Sequence, residues 1–305
     1  KRFLTLALQG YLDLIWGATS ATTVKHLSSK SIAEIPLPRP PLLEQRRIVA
    51  ILEEHLTSLD AAESSLRSAM VKCDAAHLAA LRLTRRNTAG ADCAPLGSLA
   101  DTSLGKMLDS KKQTGTLTPY LRNINVRWGS FDLTDVQETL LTPADTVRLE
   151  LLPGDLLLCE GGEPGRCAIW RESGSRVAFQ KALHRVRVRE SDQLDVDFLA
   201  LMIEEGIRTQ RWADLFTGTT IKHLPQEKLR LLDIPVPPMG AQKTLVDDFR
   251  RLDEALKRSR TGIALGLSRS TALRSALLAA AFSGRLTGRA SDSDVIETIA
   301  DQEAS

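Results

Sequence analysis

A duplication within the sequence constrains its fold more than any other feature. The hexapeptide TTVKHL at 22–27 recurs as TTIKHL at 219–224, so the copies lie 197 residues apart. The same spacing continues without a gap through four identical pairs, which are Pro38/Pro235, Pro40/Pro237, Pro41/Pro238 and Gln45/Gln242. Because a chance match of this extent is improbable, we interpret the chain as two copies of one structural unit.

The repeat predicts that globular and helical segments alternate along the chain. Residues 1–36 are interpreted as the end of one globular unit, and residues 95–237 as a complete second unit. Each unit is followed by a predicted long helix, at 42–86 and at 241–283. Residues 287–305 are polar and acidic with few large apolar side chains, so we expect this tail to be disordered.

The two long segments are predicted to be helices because their apolar residues recur at alternating intervals of four and three. Prolines precede both segments and Gly284 follows the second, as is typical of helix ends. The apolar positions are Leu52, Leu56, Leu59, Leu66, Met70, Cys73 and Ala80 in the first segment and Leu245, Phe249, Leu252, Leu256, Ile263, Leu273, Leu277 and Ala280 in the second. Two such helices in one chain can bury these positions most simply by pairing, so we expect an antiparallel coiled coil.

The unit at 95–237 is predicted to mix α-helix and β-strand, which makes the expected fold class α+β. Residues 155–159 and 182–188 have the pattern of strands, and residues 197–214 the pattern of a helix. The core of this unit is expected to include three apolar side chains, Leu121, Ile124 and Val126.

The sequence lacks the motifs of nucleotide-dependent or methylating enzymes. It has no G-x-x-x-x-G-K-[ST] phosphate loop, no G-x-G-x-x-G loop after a strand and no Asn/Asp-Pro-Pro-aromatic tetrad. Its four cysteines are not spaced as metal ligands, and we expect them to be free thiols in a cytoplasmic protein. No run of 18 apolar residues occurs, so no membrane span is expected.

Charge is distributed unevenly, and this favours contact with a nucleic acid. The net charge is only +2, yet residues 165–189 contain seven basic side chains against the single acid Glu172. Arginine and asparagine pair with base edges in the major groove, and small or hydroxyl residues approach phosphates closely. The candidate DNA-binding residues are Lys25, His26, Arg122, Asn123, Asn125, Arg127, Arg166, Gln180, Lys181, His184, Arg185, Thr219, Thr220 and Lys222. Each of them could instead lie on a solvated surface or satisfy a backbone group in a turn.

Several strings together resemble the specificity subunits of Type I restriction–modification systems. The strings are PPLLEQR at 40–46, PYLRNINV at 119–126, GDLLL at 154–158, GRCA at 165–168, the stretch 218–238 and AFSGRLT at 281–287. The resemblance implies two target-recognition domains, each reading half of a split site in double-stranded DNA, spaced by an antiparallel coiled coil. It also implies that two methyltransferase subunits, and in some systems a restriction translocase subunit, bind to this scaffold. S-adenosylmethionine and ATP would then belong to those partners, and this chain would carry no cofactor, metal or catalytic residue.

The chain departs from the family pattern in two places. A first recognition domain should be about as long as 95–237, and only its last 36 or so residues are present. The chain is then either a fragment or a half-type subunit, and we favour truncation because a half-type subunit would more naturally begin at a complete domain. Ala241 also stands where the first copy has Glu44. Two other classes of function remain open at this point, namely a non-catalytic coiled-coil scaffold that binds only proteins, and an enzyme, which the missing motifs disfavour.

Overall fold

Helices and short strands alternate along the chain. The computed structural model describes residues 1–17, 35, 37–107, 114–174, 176–218 and 222–286, with side chains up to residue 10 in the first of these ranges. The helices are α1 (Arg2–Gly17), α2 (Leu42–Arg86), α3 (Leu96–Leu99), α4 (Pro143–Leu149), α5 (Val196–Arg208), α6 (Gln226–Leu229) and α7 (Met239–Phe282). The strands are β1 (Cys93–Pro95), β2 (Ala100–Leu104), β3 (Thr116–Leu121), β4 (Val126–Arg127), β5 (Ser130–Phe131), β6 (Gln137–Leu141), β7 (Leu156–Cys159), β8 (Cys167–Ile169), β9 (Ala178–Phe179), β10 (Leu183–Val188) and β11 (Asp233–Pro235). Short 3-10 helices cover Asn123–Asn125 and Ala213–Leu215.

The chain divides into two compact units. One consists of Lys1–Asp74 together with Lys257–Ser305, and the other of Ala75–Leu256. Within the described residues, no helix combines the length and the apolar character needed to cross a bilayer. The predicted disordered tail at 287–305 lies outside the described residues.

The first unit is built on the antiparallel pairing of α2 and α7. Asp60 on α2 contacts Arg274 on α7 at 2.5 Å, and Asp74 contacts Arg260 at 3.0 Å. Residue numbers therefore increase along α2 in the direction in which they decrease along α7. Apolar residues of both helices form one buried cluster with α1, namely Leu6, Ile48, Leu52, Leu56, Leu277, Leu278, Ala280, Ala281 and Leu286. The antiparallel direction of the pair follows from these contacts, and a supercoil stays a prediction.

The second unit contains a four-stranded antiparallel sheet in the order β2-β10-β7-β8. All four side chains of β7 are buried. Because successive side chains of a strand point to opposite faces, Leu156 and Leu158 join a cluster with α5, and Leu157 and Cys159 join a second cluster. The sheet is therefore covered on both faces, which explains why the sequence of β7 is apolar throughout.

A second, three-stranded sheet covers the other face. Its order is β6-β3-β9, with β3 antiparallel to β6 and parallel to β9. Leu121, Leu141 and Phe179 of this sheet pack in the same cluster as Leu157 and Trp170. Two further strand pairs, β1-β11 and β4-β5, complete the strands of the unit in the described residues.

The structure corrects two local predictions. The helix predicted over 197–214 ends at Arg208, because Trp212 folds back onto Gly206, where a Cβ atom would lie 2.4 Å from the indole ring. Ile124 was expected in the core, but it lies in a 3-10 turn and is 44% exposed. Leu121 and Val126 are fully buried, as predicted.

Candidate nucleic-acid interface

A loop at 161–166, which we call the glycine loop, connects β7 to β8. Its two ends are held by backbone bonds, from Gly165 N to Cys159 O at 2.9 Å and from Cys159 N to Arg166 O at 2.8 Å. Gly162 and Gly165 have φ of +79° and +91°, a region in which a Cβ atom is strained. The turn therefore depends on its glycines.

Glycine also permits close packing around this loop. A Cβ atom on Gly161 would lie 2.9 Å from Nδ1 of His223, and one on Gly162 would lie 2.9 Å from Nδ2 of Asn123. The loop thus brings together two segments that are 100 residues apart in the sequence, the 3-10 helix at Asn123 and the segment that ends at His223.

Arg166 and Asn123, two of the predicted DNA-binding residues, are in direct contact. Nη2 of Arg166 donates to the carbonyl oxygen of Asn123 at 2.9 Å, and Nη1 donates to Glu163 at 2.8 Å. Only 14% of the Arg166 side chain is exposed. In this structure the guanidinium group therefore fixes the glycine loop to the 3-10 helix.

The contact between Arg166 and Asn123 continues through three further side chains, those of Trp128, Glu163 and Arg208. The sequence analysis did not select any of them as site residues. Nε1 of Trp128 donates to Oε1 of Glu163 at 2.8 Å, and the guanidinium of Arg208 lies 4.6 Å from the centre of a Trp128 ring. Trp128 follows Arg127 directly, so the aromatic residue beside a candidate arginine could have drawn attention. No local signal connects Arg208, which lies on α5, to this place.

Gln180 and Lys181 follow the end of β9 and pack beside a neighbouring backbone segment. The backbone nitrogen of Gln180 donates to Leu121 O at 3.0 Å, and that of Lys181 donates to Lys106 O at 2.9 Å. The side chain of Lys106 contacts Asp145 at 2.5 Å, and this hydrogen bond holds the pKa of that carboxyl below its ordinary value. Lys181 is exposed and pairs with no carboxylate in the described part of the chain.

Lys222 directly precedes His223, which pairs with Thr217 through the backbone. Thr217 and His223 exchange both backbone hydrogen bonds, at 2.9 and 2.8 Å, and His223 lies 3.7 Å from a carboxylate oxygen of Glu160. Lys222 is exposed, again without a carboxylate partner among the described residues. The other four candidates of the repeated motif, Lys25, His26, Thr219 and Thr220, lie outside the described residues.

Asn125 and His184 require a correction, because both are buried. Asn125 is 2% exposed; it accepts from the backbone of Arg122 at 2.9 Å and donates to the carbonyls of Asp132 and Asp135. His184 is fully buried, and its Nε2 donates to Leu224 O at 2.8 Å. Burial lowers the pKa of His184, which favours the neutral ring. These side chains satisfy backbone groups of the protein and present nothing to a duplex in this structure.

Arg122 and Arg127 contact the turn that follows β5. Arg122 pairs with Asp135 at 2.6 Å, and Arg127 pairs with Asp132 at 3.1 Å. The pKa of Asp135 is lowered mainly by Arg122, and that of Asp132 by a hydrogen bond from Thr134 and then by Arg127. Within the described ranges, none of their side-chain hydrogen bonds reaches the glycine loop.

Arg185 belongs to a different surface of the same unit. Its guanidinium lies 5.7 Å from the ring centre of Phe179 and donates to the carbonyls of Arg148 and Glu150, at 3.2 and 2.9 Å. The structure thus joins Asn123 and Arg166 directly at the glycine loop, and it places Arg185 in contact with the C-terminal end of α4.

The described residues provide no metal site. No group of three or more His, Cys, Asp or Glu side chains within them is arranged to hold an ion. All four cysteines are free, and burial raises the pKa of the Cys159 thiol to about 11. Cys159 lies 3.7 Å from Asn123 O and packs in the core beneath the glycine loop.

Comparison with known proteins gives consistent similarities. The profile of the family described as Type I restriction modification DNA specificity domain matches residues 1–67 and 96–263. The EcoBI specificity subunit of a Type I restriction enzyme from Escherichia coli is 26% identical over 325 aligned positions, which cover 97% of this chain and 68% of that protein.

Two solved structures share the fold. One is a chain from a structure that addresses complex assembly and conformational transition of the type I R-M system, with a TM-score of 0.69 and 18% identity over 91% of this chain and 68% of that one. The other is the HsdS subunit from Thermoanaerobacter tengcongensis, with a TM-score of 0.52 and 18% identity over 93% of this chain and 70% of that one.

Proposed function

Since this chain belongs to the Type I restriction modification DNA specificity family, we propose that its Ala75–Leu256 unit reads one half of a split DNA site through the glycine loop. The chain supplies sequence specificity to a restriction–modification system and is not itself the enzyme. The DNA-facing surface consists of the glycine loop and the 3-10 helix at Asn123, which read sequence, and of the exposed lysines at 181 and 222, which contact phosphates.

One observation carries this proposal: the glycine loop is held rigidly, yet it presents little side-chain bulk. Gly162 is exposed at its tip, and the neighbouring Glu163, which is 52% exposed, is held by hydrogen bonds from Arg166 and Trp128. Small residues allow a protein backbone to approach DNA closely, and an ordered loop loses little conformational entropy on binding. Asn123 lies against Gly162, and an asparagine amide can pair bidentately with adenine in the major groove.

Lys181 and Lys222 suit contact with phosphates. Both are exposed, and neither forms an ion pair within the described residues, so each ammonium group is available to a polyanion. Contacts of this kind orient a protein on the duplex and supply affinity that falls with salt, but they do not read sequence.

The other subunits of the system supply the chemistry in this proposal. Two methyltransferase subunits bind the paired long helices, and in some systems a restriction translocase subunit joins them. S-adenosylmethionine and ATP are then bound by those partners, and the assembly acts on DNA in the cytoplasm. Exposed apolar side chains on the long helices support protein docking there, since Val71 is 68% and Leu265 50% exposed.

Sequencing of modified bases in cells that carry the chain with its methyltransferase subunits tests the proposal. We expect methylation at a split sequence motif. With purified assembly, Lys181→Ala and Lys222→Ala should each reduce the salt dependence of DNA binding by about one counterion and leave the motif unchanged. Binding that ignores base sequence would refute the proposal, and loss of subunit assembly in the lysine variants would place these residues in a protein interface.

A further inference from the structure

A continuous series of side-chain contacts within the Ala75–Leu256 unit leads from the long helices to the glycine loop. It begins at His77 on α2, whose ring contacts Asp253 on α7 at 3.0 Å and Glu204 on α5 at 3.1 Å. The three side chains are between 12% and 16% exposed. The His77 side chain therefore links α2, on which it lies, to α5 and α7 through hydrogen bonds that are largely excluded from water.

The series continues from α5 to the loop. Glu204 pairs with Arg208 at 2.6 Å, and the guanidinium of Arg208 stacks 4.6 Å from a Trp128 ring. The Trp128 indole donates to Glu163, which lies on the glycine loop. Glu163 in turn accepts from Arg166, and Arg166 donates to the Asn123 carbonyl.

Each member of the series is oriented by two neighbours at once. Glu163 accepts from Trp128 on Oε1 and from Arg166 on Oε2, so both of its oxygens are fixed. Arg208 uses Nε on Glu204 and the face of its guanidinium on Trp128. Glu163 is 52% and Arg208 is 37% exposed, so these contacts are weaker than those at His77. Because each of these side chains is held by two partners, rotation of one member disturbs the next.

The backbone of the loop rests on the same helix. A Cβ atom on Gly165 would lie 2.4 Å from Cδ1 of Ile207, the residue before Arg208, and Gly165 has φ of +91°. The loop thus contacts the last turn of α5 through its backbone as well as through Trp128 and Glu163.

We propose that Trp128, Glu163 and Arg208 are positioning residues for sequence recognition, which fix the orientation of Arg166 and Asn123 relative to the long helices. They touch no base and act only through the glycine loop. The inference rests on the proposed function, because it takes the glycine loop as the surface that faces DNA. It predicts that specificity is sensitive to residues of α5 that are remote from the loop in sequence.

The test uses the full chain assembled with its methyltransferase subunits. The wild-type assembly first selects a preferred duplex from a random-sequence pool, and each variant is then measured on this duplex and on an unselected duplex. Arg208→Gln and Glu163→Ala should each reduce the ratio of the two affinities about tenfold. For Arg208→Gln, which lies outside the glycine loop, the affinity for the unselected duplex and its salt dependence should stay unchanged. Arg208→Lys, which keeps the cation, should restore part of the ratio.

Arg250→Gln is the matched control. Arg250 on α7 pairs at 3.2 Å with Asp197, which lies near the start of α5. The Arg250 side chain is 52% exposed, against 37% for Arg208. The control also removes an arginine–carboxylate pair of α5, in this case one between Arg250 on α7 and Asp197 on α5, and it lies outside the series. We expect it to leave the affinity ratio at the wild-type value.

The double variant Arg208→Gln/Glu163→Ala distinguishes a linked series from two separate effects. Arg208 and Glu163 are joined through Trp128, so the double variant should lose no more discrimination than the more affected single variant. Additive losses, an equal loss in Arg250→Gln, or unchanged discrimination in the single variants would overturn the positioning role. Failure of the wild-type assembly to select any sequence would instead overturn the proposed function on which it rests.

Discussion

Gln45 and Gln242, which occupy matching positions of the repeat, make the same hydrogen bond. Each side-chain amide donates to the carbonyl of the proline five residues earlier, at 2.9 Å to Pro40 and at 2.8 Å to Pro237. Each bond closes the turn from which a long helix starts, so the duplication preserves a local geometry together with its sequence. In the second copy Gln242 also accepts from Asp195 N and donates to Gln193 O, both at 2.9 Å.

We therefore expect unequal effects when the two glutamines are removed. Gln242 is fully buried, and Gln242→Ala would leave one backbone nitrogen and two carbonyls without their partner, which should lower the free energy of unfolding by about 3 kcal/mol. Gln45→Ala breaks one partly exposed bond and should cost about 1 kcal/mol. Urea unfolding of both variants measures this difference, and equal losses would show that the additional bonds of Gln242 contribute nothing.

The sequence predicts those parts of the fold in which the spacing of apolar residues indicates which side chains are buried. The repeated 4-3 spacing predicts long helices, and the structure has α2 and α7 there. The predicted strands at 155–159 and 182–188 are confirmed as β7 and β10, since an apolar run such as that of β7 suits a strand covered on both faces.

The recognition residues are harder to predict, because their environment depends on distant segments. His184 and Arg185 are both candidates for DNA contact by residue type, yet the sheet has a core cluster on each side, and His184 is buried and bonded to Leu224 O. Asn125 has the type of a base-reading residue but closes a turn with Arg122. Periodicity within one segment contains no information on which other segment covers it.

Gly162→Ala should weaken recognition more than its effect on stability explains. The added methyl would lie 2.9 Å from the Asn123 amide, which must then move. Gly174 is a matched control, because its φ of +78° is nearly that of Gly162 at +79°, and a Cβ atom there would meet nothing within 4 Å. Both variants should lose about 1 kcal/mol of stability from backbone strain, and only Gly162→Ala should lose affinity for the selected duplex. Equal binding by the two variants would argue against a role of Asn123 in recognition.

Asp155→Asn should destabilise the second unit strongly. The Asp155 side chain is 1% exposed, and it accepts from Arg187 at 2.6 and 2.7 Å and from Leu152 N at 2.7 Å. Removing its charge leaves the guanidinium without a counterion in a partly buried place, and we expect a loss of about 3 kcal/mol in the free energy of unfolding. Asp101→Asn, at an exposed pair with Arg189, should cost less than about 1 kcal/mol in the same measurement. A loss at Asp155→Asn as small as that at Asp101→Asn would mean that the charge of Asp155 contributes little to the free energy of unfolding.

The stability contributed by His77 should depend on pH in a defined direction. Hydrogen bonds with Asp253 and then Glu204 raise the pKa of His77 to about 9, above its ordinary value of 6.5, because both ring nitrogens face carboxylates and only the protonated ring can donate to both. The charged groups around it are Asp253 on α7, and Glu204 with its partner Arg208 on α5. A pKa that is higher in the folded state gives a stabilisation that is complete below about pH 6.5 and lost as the pH rises through about 9.

His77→Gln removes this titration and can keep a hydrogen bond. We expect the difference in free energy of unfolding between wild type and His77→Gln to fall by about 2 kcal/mol from about pH 6 to about pH 10. Groups that titrate alike in both proteins cancel in this difference, so its change with pH reports on His77. The same pH series, applied to DNA selection, tests whether His77 and the glycine loop are coupled. If loss of the His77 charge frees the Glu204 carboxylate, discrimination between the selected and unselected duplexes should fall over the pH range in which stability falls. Discrimination that stays constant while stability falls would show that the His77 ion pairs hold the helices together without acting on the glycine loop.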